Sequence, residues 1–442
     1  MLRRIVVLSI VSSMLAASSS RGNADTVRDE GVRRSNALVK EGYNLTYGWS
    51  LASQNDEPIV LELVVPTAGD EHLFTFWANA ARGSFRFRLL GPDGKESAAL
   101  SGHKGEVTFA AAAQAGKYSL SIERAAGTEG VALFGVKGDV VARCASKGGE
   151  TTEHAAAKDF HWPYLLYVPT AARASRMLVL PNNSGFTSDD IGLLRASASC
   201  QISQQAKLAE KLGVPILVPL FPRPMIPPTT PDGASGNLYL HALTRASLEI
   251  QVAAYRRVDL QLVAMIDDAR AELHAHHIDV DERVLLSGFS ASGSFVNRFA
   301  FLHPDRVAAV ACGSPGGWPL APLASIDGDE LDYPVGIADV EALTGAAIDR
   351  AALARVAWFF FLGAEDRNDA VPFRDSFSAA DQKLIFRRFG DRPVARWKSA
   401  ERLYRDAGLK ARFTLYPGVT HMVSADMERD LEQFLAGALR ER

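Results

Sequence analysis

The run VLLSGFSASGSF, residues 284–295, places Ser287, Ser290, Ser292 and Ser294 between an apolar stretch with strand character and one with helix character. A serine becomes a nucleophile only where the backbone exposes its hydroxyl and a base can take its proton. A tight strand-to-helix turn does the first, provided small residues flank the serine. Gly288 stands two residues before Ser290 and Ala291 directly after it, so Ser290 is the expected nucleophile, with Ser292 where glycine is usual. Centring the turn on Ser292 leaves no glycine two residues away on either side and carries the nucleophile into the helix. A serine at a helix start also has a purely structural use as an N-cap, so the partners downstream decide.

A base must accept the serine proton, and an acid must hold that base in the right tautomer. His421, in YPGVTHMVS after the last predicted strand, is the expected base. His274, His276 and His277 cluster at the end of a predicted helix, where imidazoles meet free carbonyls, and read as structural. No HExxH spacing occurs, so no metal site is expected. The acid belongs in AEDRNDAVP, after the strand VAWFFFLG: Asp366, three residues past Gly363, is the first choice, and Asp369, three before Pro372, is the alternative. Whichever is not the acid reads as a turn-stabilising carboxylate. The oxyanion of the tetrahedral intermediate needs two backbone donors. Ala291 is the expected first, and Asn183 or Ser184, in the turn PNNSGF, the second.

These loops need a scaffold. Near-continuous apolar strands at 164–169, 176–181, 214–220, 283–289, 307–313, 356–363 and 411–417 alternate with predicted helices at 197–212, 245–276, 291–303, 395–407 and 424–439. This alternation predicts an α/β fold, a doubly wound and mostly parallel sheet, over residues 160–442. Two stretches border the predicted site: the Pro- and Gly-rich loop 221–236 and an insertion at 314–354. Trp318 in the insertion is a candidate for lining the substrate site, or else an anchor of its loop.

Upstream the rhythm differs. LFTFW (73–77), SFRFRLL (84–90) and KYSLSIE (117–123) alternate with period two between turns such as GPDG (91–94), which predicts a small all-β sandwich over residues 25–143. Its strand rhythm, the GPDG turn and the AGKYSLSIE strand resemble the pre-peptidase C-terminal type of module that accompanies secreted hydrolases. Residues 144–159 read as a Gly/Thr/Ala-rich linker. Leu2-Arg3-Arg4, the apolar run 5–15 and the small residues 16–20 read as a signal peptide ending near residue 24, so a secreted or periplasmic protein is expected, with no membrane span after its removal. Export permits a disulfide, and Cys144, Cys200 and Cys312 leave the pairing open. A formal net charge of −3 over 442 residues gives no electrostatic reason to expect nucleic acid as a partner.

Over residues 160–442 the chain resembles the α/β-hydrolase superfamily, and VLLSGFSASGSFVNRFAFLHPDRVAAVACGSPGGW is similar to the nucleophile turn and following helix of secreted esterases related to polyhydroxyalkanoate depolymerases and feruloyl esterases. The resemblance implies a Ser290–His421–Asp366 triad, no catalytic cofactor or metal, and cleavage of a small or polymeric ester through an acyl-enzyme. The alternatives are a serine peptidase or amidase of the same fold, and a non-catalytic binding protein built on it. Nothing in the sequence names a protein partner.

Overall fold

The computed structural model describes residues 27, 30, 31, 33, 34, 37, 38, 40–43, 45–51, 58–65, 72–110, 115–138, 141–144, 148–182, 191–224, 238–373 and 376–440. The expected signal peptide, the oxyanion candidates Asn183 and Ser184, and residues 225–237 lie outside them. Two compact units divide the chain: residues 1–145 with 184–203, and residues 146–183 with 204–442.

In the first unit, strands Leu45–Ser50, Glu129–Lys137, Leu73–Arg82 and Lys104–Ala110 pair antiparallel in that order. A second antiparallel sheet runs in the order Glu96–Gly102, Phe85–Leu90, Gly116–Arg124, Ile59–Val65 and Val141–Cys144. Side chains on one face of each sheet share a core: Phe76 of the first stacks on Phe87 of the second at 4.1 Å, and Phe74 lies against Tyr118. In the strand FRFRLL, Phe85, Phe87 and Leu89 are buried and Arg86 is exposed, the alternation of a strand with one wet face.

Residues 191–203, which fall inside the segment 160–442, pack with this unit. Ala196 and Cys200 pack into its core, and a Cys144–Cys200 disulfide ties them to the last strand of the second sheet. Cys312 is the remaining thiol and is buried.

The second unit carries an eight-stranded sheet. In chain order its strands are β1 (Glu150–His154), β2 (Tyr164–Val168), β3 (Leu178–Val179), β4 (Ile216–Pro219), β5 (Val284–Phe289), β6 (Val307–Gly313), β7 (Ala357–Gly363) and β8 (Lys410–Tyr416). Their order across the sheet is β1-β2-β4-β3-β5-β6-β7-β8; β1, β2 and β4 pair antiparallel, and every pairing from β4 through β8 is parallel. The sheet is thus mixed and mostly parallel, with its antiparallel strands at one edge. β1 corrects the linker expected at 144–159: ETTEH carries no apolar alternation because it is an exposed edge strand, held by its ladder to β2. β3 is much shorter than the run 176–181 from which it was expected.

The helices that matter are α1 (Ile191–Leu212), α2 (Val258–Ala275), α3 (Ala291–Leu302), α4 (Pro393–Asp406) and α5 (Ala425–Ala438). Successive residues of β7 show why the strand is apolar throughout. Phe359 meets Phe434 of α5, while Phe360 meets Trp397 and Tyr404 of α4, so helices cover both faces. Each such ring withdrawn from water contributes about 1.5–3 kcal/mol. Among the described residues no helix is long and apolar enough to cross a membrane.

The single helix expected over 245–276 is two, Arg245–Glu249 and α2, with Arg257 between them in a left-handed conformation at φ 47°. A buried carboxylate organises the break. Asp259, fully enclosed, accepts from Arg257 Nη2 at 2.7 Å and lies 2.8 Å from His303 Nε2, just past the end of α3. Arg257 Nη1 also donates to the Thr344 carbonyl of the insertion. Burial alone raises the Asp259 pKa, but hydrogen bonds from His303 and Arg257 outweigh it and hold the carboxyl at about 2. Since that lies below the unfolded value near 3.9, the stabilisation is fully present above about pH 4 and is lost as pH falls towards 2, a swing of roughly 2 kcal/mol. Asp259→Asn should therefore lower stability by about 2–4 kcal/mol at pH 6 in urea denaturation, and the gap from the wild type should narrow at pH 3. A gap independent of pH would show that the charge of Asp259 is not what matters.

Candidate active site

β5 ends at Phe289 and α3 begins at Ala291, leaving Ser290 alone on the turn. Its backbone sits at φ 62° and ψ −122°, a conformation that costs a non-glycine residue about 1–3 kcal/mol and that exposes a side chain at the tip of a sheet. The turn is pinned to β6 by Ser290 N donating to the Gly313 carbonyl at 2.9 Å. Two glycines make room for it. A Cβ on Gly288 would stand 2.3 Å from the Ser292 carbonyl oxygen, and one on Gly293 would stand 2.3 Å from that of Gly313. The close approach of α3 to β6 therefore falls at Gly293, one residue later than the usual motif. Ser292 is buried and braces the turn from within. Its Oγ donates to the Phe289 carbonyl at 2.9 Å and accepts from the Phe289 N–H at 3.0 Å.

The loop after β8 brings His421 to the same place. His421 Nε2 lies 3.0 Å from Ser290 Oγ, and Nδ1 lies 2.8 Å from Asp366 Oδ2. An ionised carboxylate only accepts, so Nδ1 carries the proton and the Nε2 lone pair faces the serine hydroxyl. Phe289 lies against the imidazole with ring centres 4.9 Å apart. Asp366 has no exposed side-chain surface and His421 keeps 11%, so the pair is shielded while the reactive edge stays reachable. The loops carrying acid and base are laced together by Ala364 N to the Tyr416 carbonyl and Glu365 N to the Val419 carbonyl, each 2.9 Å.

Asp369, the alternative acid, points elsewhere. It is buried against Arg396 of α4, with which it forms an ion pair, and accepts from Val371 N at 3.1 Å. Burial pushes the Asp369 carboxyl up and the Arg396 guanidinium down, each opposed by the other's charge. The pair anchors the far end of the acid loop to α4. Asn368, which no sequence pattern singled out, stands between the two aspartates. Its N–H donates to Asp366 Oδ1 at 2.8 Å, and its carboxamide Nδ2 is 3.1 Å from His421 Nε2.

Ala291 opens α3, so its N–H is among the first-turn donors that the helix does not itself use. Ala291 packs with Tyr239 and Ala242.

Trp318 does not line the site. It is 1% exposed, stacks on Phe389 at 4.1 Å and donates from Nε1 to the Val335 carbonyl, inside a core with Leu331 and Phe377. The indole is buried because the insertion folds back on itself and on helix Ala379–Phe389. That helix was missed in the sequence although Ser378 and Asp381 form a capping box at its start. Among the described residues no group of three or more His, Cys, Asp or Glu side chains has a metal-holding arrangement.

No protein-family model and no curated protein matches the chain. Among solved structures it is similar to a poly(aspartic acid) hydrolase from Sphingomonas sp. KT-1, at 17% identity over 65% of this chain and 98% of that one with a TM-score of 0.43. A poly(3-hydroxybutyrate) depolymerase from Bordetella parapertussis gives 20% identity over 66% and 89%, with a TM-score of 0.41. An S-formylglutathione hydrolase from Agrobacterium tumefaciens gives 15% over 67% and 96%, with a TM-score of 0.35.

Proposed function

We propose that the protein is an exported serine hydrolase that cleaves carboxylic esters through an acyl-enzyme. The observation that carries this reading is the continuous chain from Ser290 Oγ through His421 to the buried carboxylate of Asp366, with spacings of 3.0 and 2.8 Å. His421 Nε2 takes the serine proton as Oγ bonds to the ester carbonyl carbon. The same proton then passes to the alcohol oxygen as the carbon–oxygen bond breaks. Water repeats the sequence on the acyl-enzyme, giving up a proton to His421, and returns Ser290 to its starting state. Asp366 stabilises the imidazolium formed at each proton transfer, and the Ala291 N–H serves as an oxyanion donor. Asn183 or Ser184 is proposed as the second donor. The β unit at the N-terminus is read as an accessory domain.

Esters and amides share this machinery but differ in leaving group, so substrates separate them. Hydrolysis of p-nitrophenyl acetate should exceed that of an aminoacyl p-nitroanilide by about 100-fold or more in kcat/KM, a difference of about 3 kcal/mol in barrier. A preference for the anilide would overturn the ester reading in favour of a peptidase or amidase.

A further inference from the structure

We propose that Asn368 is a positioning residue for proton transfer, holding the Nε2 edge of His421 in both protonation states of the ring; this rests on the triad reading. The geometry is specific. Asn368 follows Asp366 by two residues, and its backbone N–H occupies Oδ1 of that carboxylate at 2.8 Å, leaving Oδ2 to His421 Nδ1. Its side chain then reaches the opposite edge of the same imidazole, 3.1 Å from Nε2. One residue thus touches both the acid and the base. Asn368 is an exposed residue between two buried aspartates, and an exposed asparagine ordinarily spends its carboxamide on water. Here the carboxamide turns inward to the nitrogen that must move a proton.

A carboxamide suits that position better than any charged group. It carries two N–H donors and a carbonyl acceptor on one planar group, and a half-turn about its last torsion exchanges them. Beside neutral imidazole, Nδ2–H donates to the Nε2 lone pair, which it shares with the Ser290 hydroxyl 3.0 Å away. When the Ser290 proton moves to Nε2, the new N–H points towards the same region, and the turned carboxamide offers Oδ1 as its acceptor. The proton next leaves Nε2 for the alcohol oxygen, and Asn368 returns to its first orientation without gaining or losing a proton. Lysine or arginine at this position would have nothing to accept with, and a carboxylate nothing to donate. By steadying the ring through both transfers, Asn368 contributes to kcat and to the reactivity of Ser290, not to substrate affinity.

The test compares the full-length wild type with Asn368→Ala, Asn368→Leu and Ser290→Ala. The readouts are kcat and KM on p-nitrophenyl acetate, the rate constant of labelling by a fluorophosphonate, and the thermal unfolding midpoint. Both Asn368 variants are expected to lose about 10-fold in kcat and in labelling rate, with KM within about twofold and the midpoint within about 2 °C of wild type. A purely structural role would move the midpoint and leave the labelling rate per folded molecule unchanged. Labelling and kcat within twofold of wild type in either variant would overturn the proposal, as would a rise in KM at constant kcat, which marks a substrate contact instead. Ser290→Ala keeps the two ideas apart. If it labels like the wild type, the triad reading itself fails; if it does not label while the Asn368 variants behave as wild type, only the role of Asn368 falls.

Discussion

Ser290→Ala should abolish fluorophosphonate labelling and lower ester turnover by a factor on the order of 10⁴ to 10⁶, about 5–8 kcal/mol of barrier, with the fold intact. The size of the loss follows from what the hydroxyl does. In the proposed mechanism, without it no acyl-enzyme forms, His421 has no proton to take, and only the oxyanion donors and binding contacts remain to act on attack by water. The fold survives because the turn is held by other groups. Ser290 contributes its backbone N–H to the Gly313 carbonyl, which alanine retains, and the side-chain hydrogen bonds that brace the turn belong to Ser292. Alanine still has to adopt φ 62°, as serine does, so no new strain is added. Ser292→Ala should show the opposite profile. It loses two hydrogen bonds to Phe289 that shape the turn and retains labelling at Ser290, at a stability cost of about 1–2 kcal/mol. Loss of labelling in Ser292→Ala alone, with Ser290→Ala still reactive, would move the nucleophile by two residues.

The main features of the site are legible in the sequence because a strand–helix alternation fixes which loops gather at one end of a parallel sheet. The loops after β5, β7 and β8 all emerge at the C-terminal ends of parallel strands, so a serine, an aspartate and a histidine far apart in the chain become neighbours. What stays hidden is whatever depends on which way one side chain turns. Trp318 has the composition of a substrate-lining residue, and only the fold of the insertion sends its ring onto Phe389. Asn368 lies in a polar loop with no periodicity, and nothing in its neighbours announces that its carboxamide meets His421. The edge strand β1 is unreadable for a third reason. Its stability comes from a backbone ladder, and a strand exposed along most of its length leaves no apolar signature.

The identity of the acid is where a sequence pattern and its alternative make opposite demands, and Asp366→Asn and Asp369→Asn should separate them sharply. Asp366→Asn should reduce kcat by about 10³- to 10⁴-fold with little change in KM or stability, because asparagine can present an N–H to Nδ1 and so stabilise the tautomer whose Nε2 carries the proton. That tautomer cannot accept from Ser290, and the imidazolium loses its counter-charge. Asp369→Asn should instead act on stability. It leaves the Arg396 guanidinium, which has no exposed surface, without its anionic partner, an arrangement that costs about 3–5 kcal/mol. Turnover per folded molecule should fall far less, since Asp369 touches Val371 and Arg396 and neither reacting atom. Should Asp369→Asn prove too unstable to assay, Asp369→Leu combined with Arg396→Met removes both charges at once. Replacing a buried ion pair by apolar groups of similar size is often nearly neutral for stability, so the double variant should fold and turn over esters while Asp366→Asn does not. A double variant that is folded yet as inactive as Asp366→Asn would mean that the acid loop works as one unit, with its anchor on α4 as necessary to catalysis as the carboxylate that meets the base.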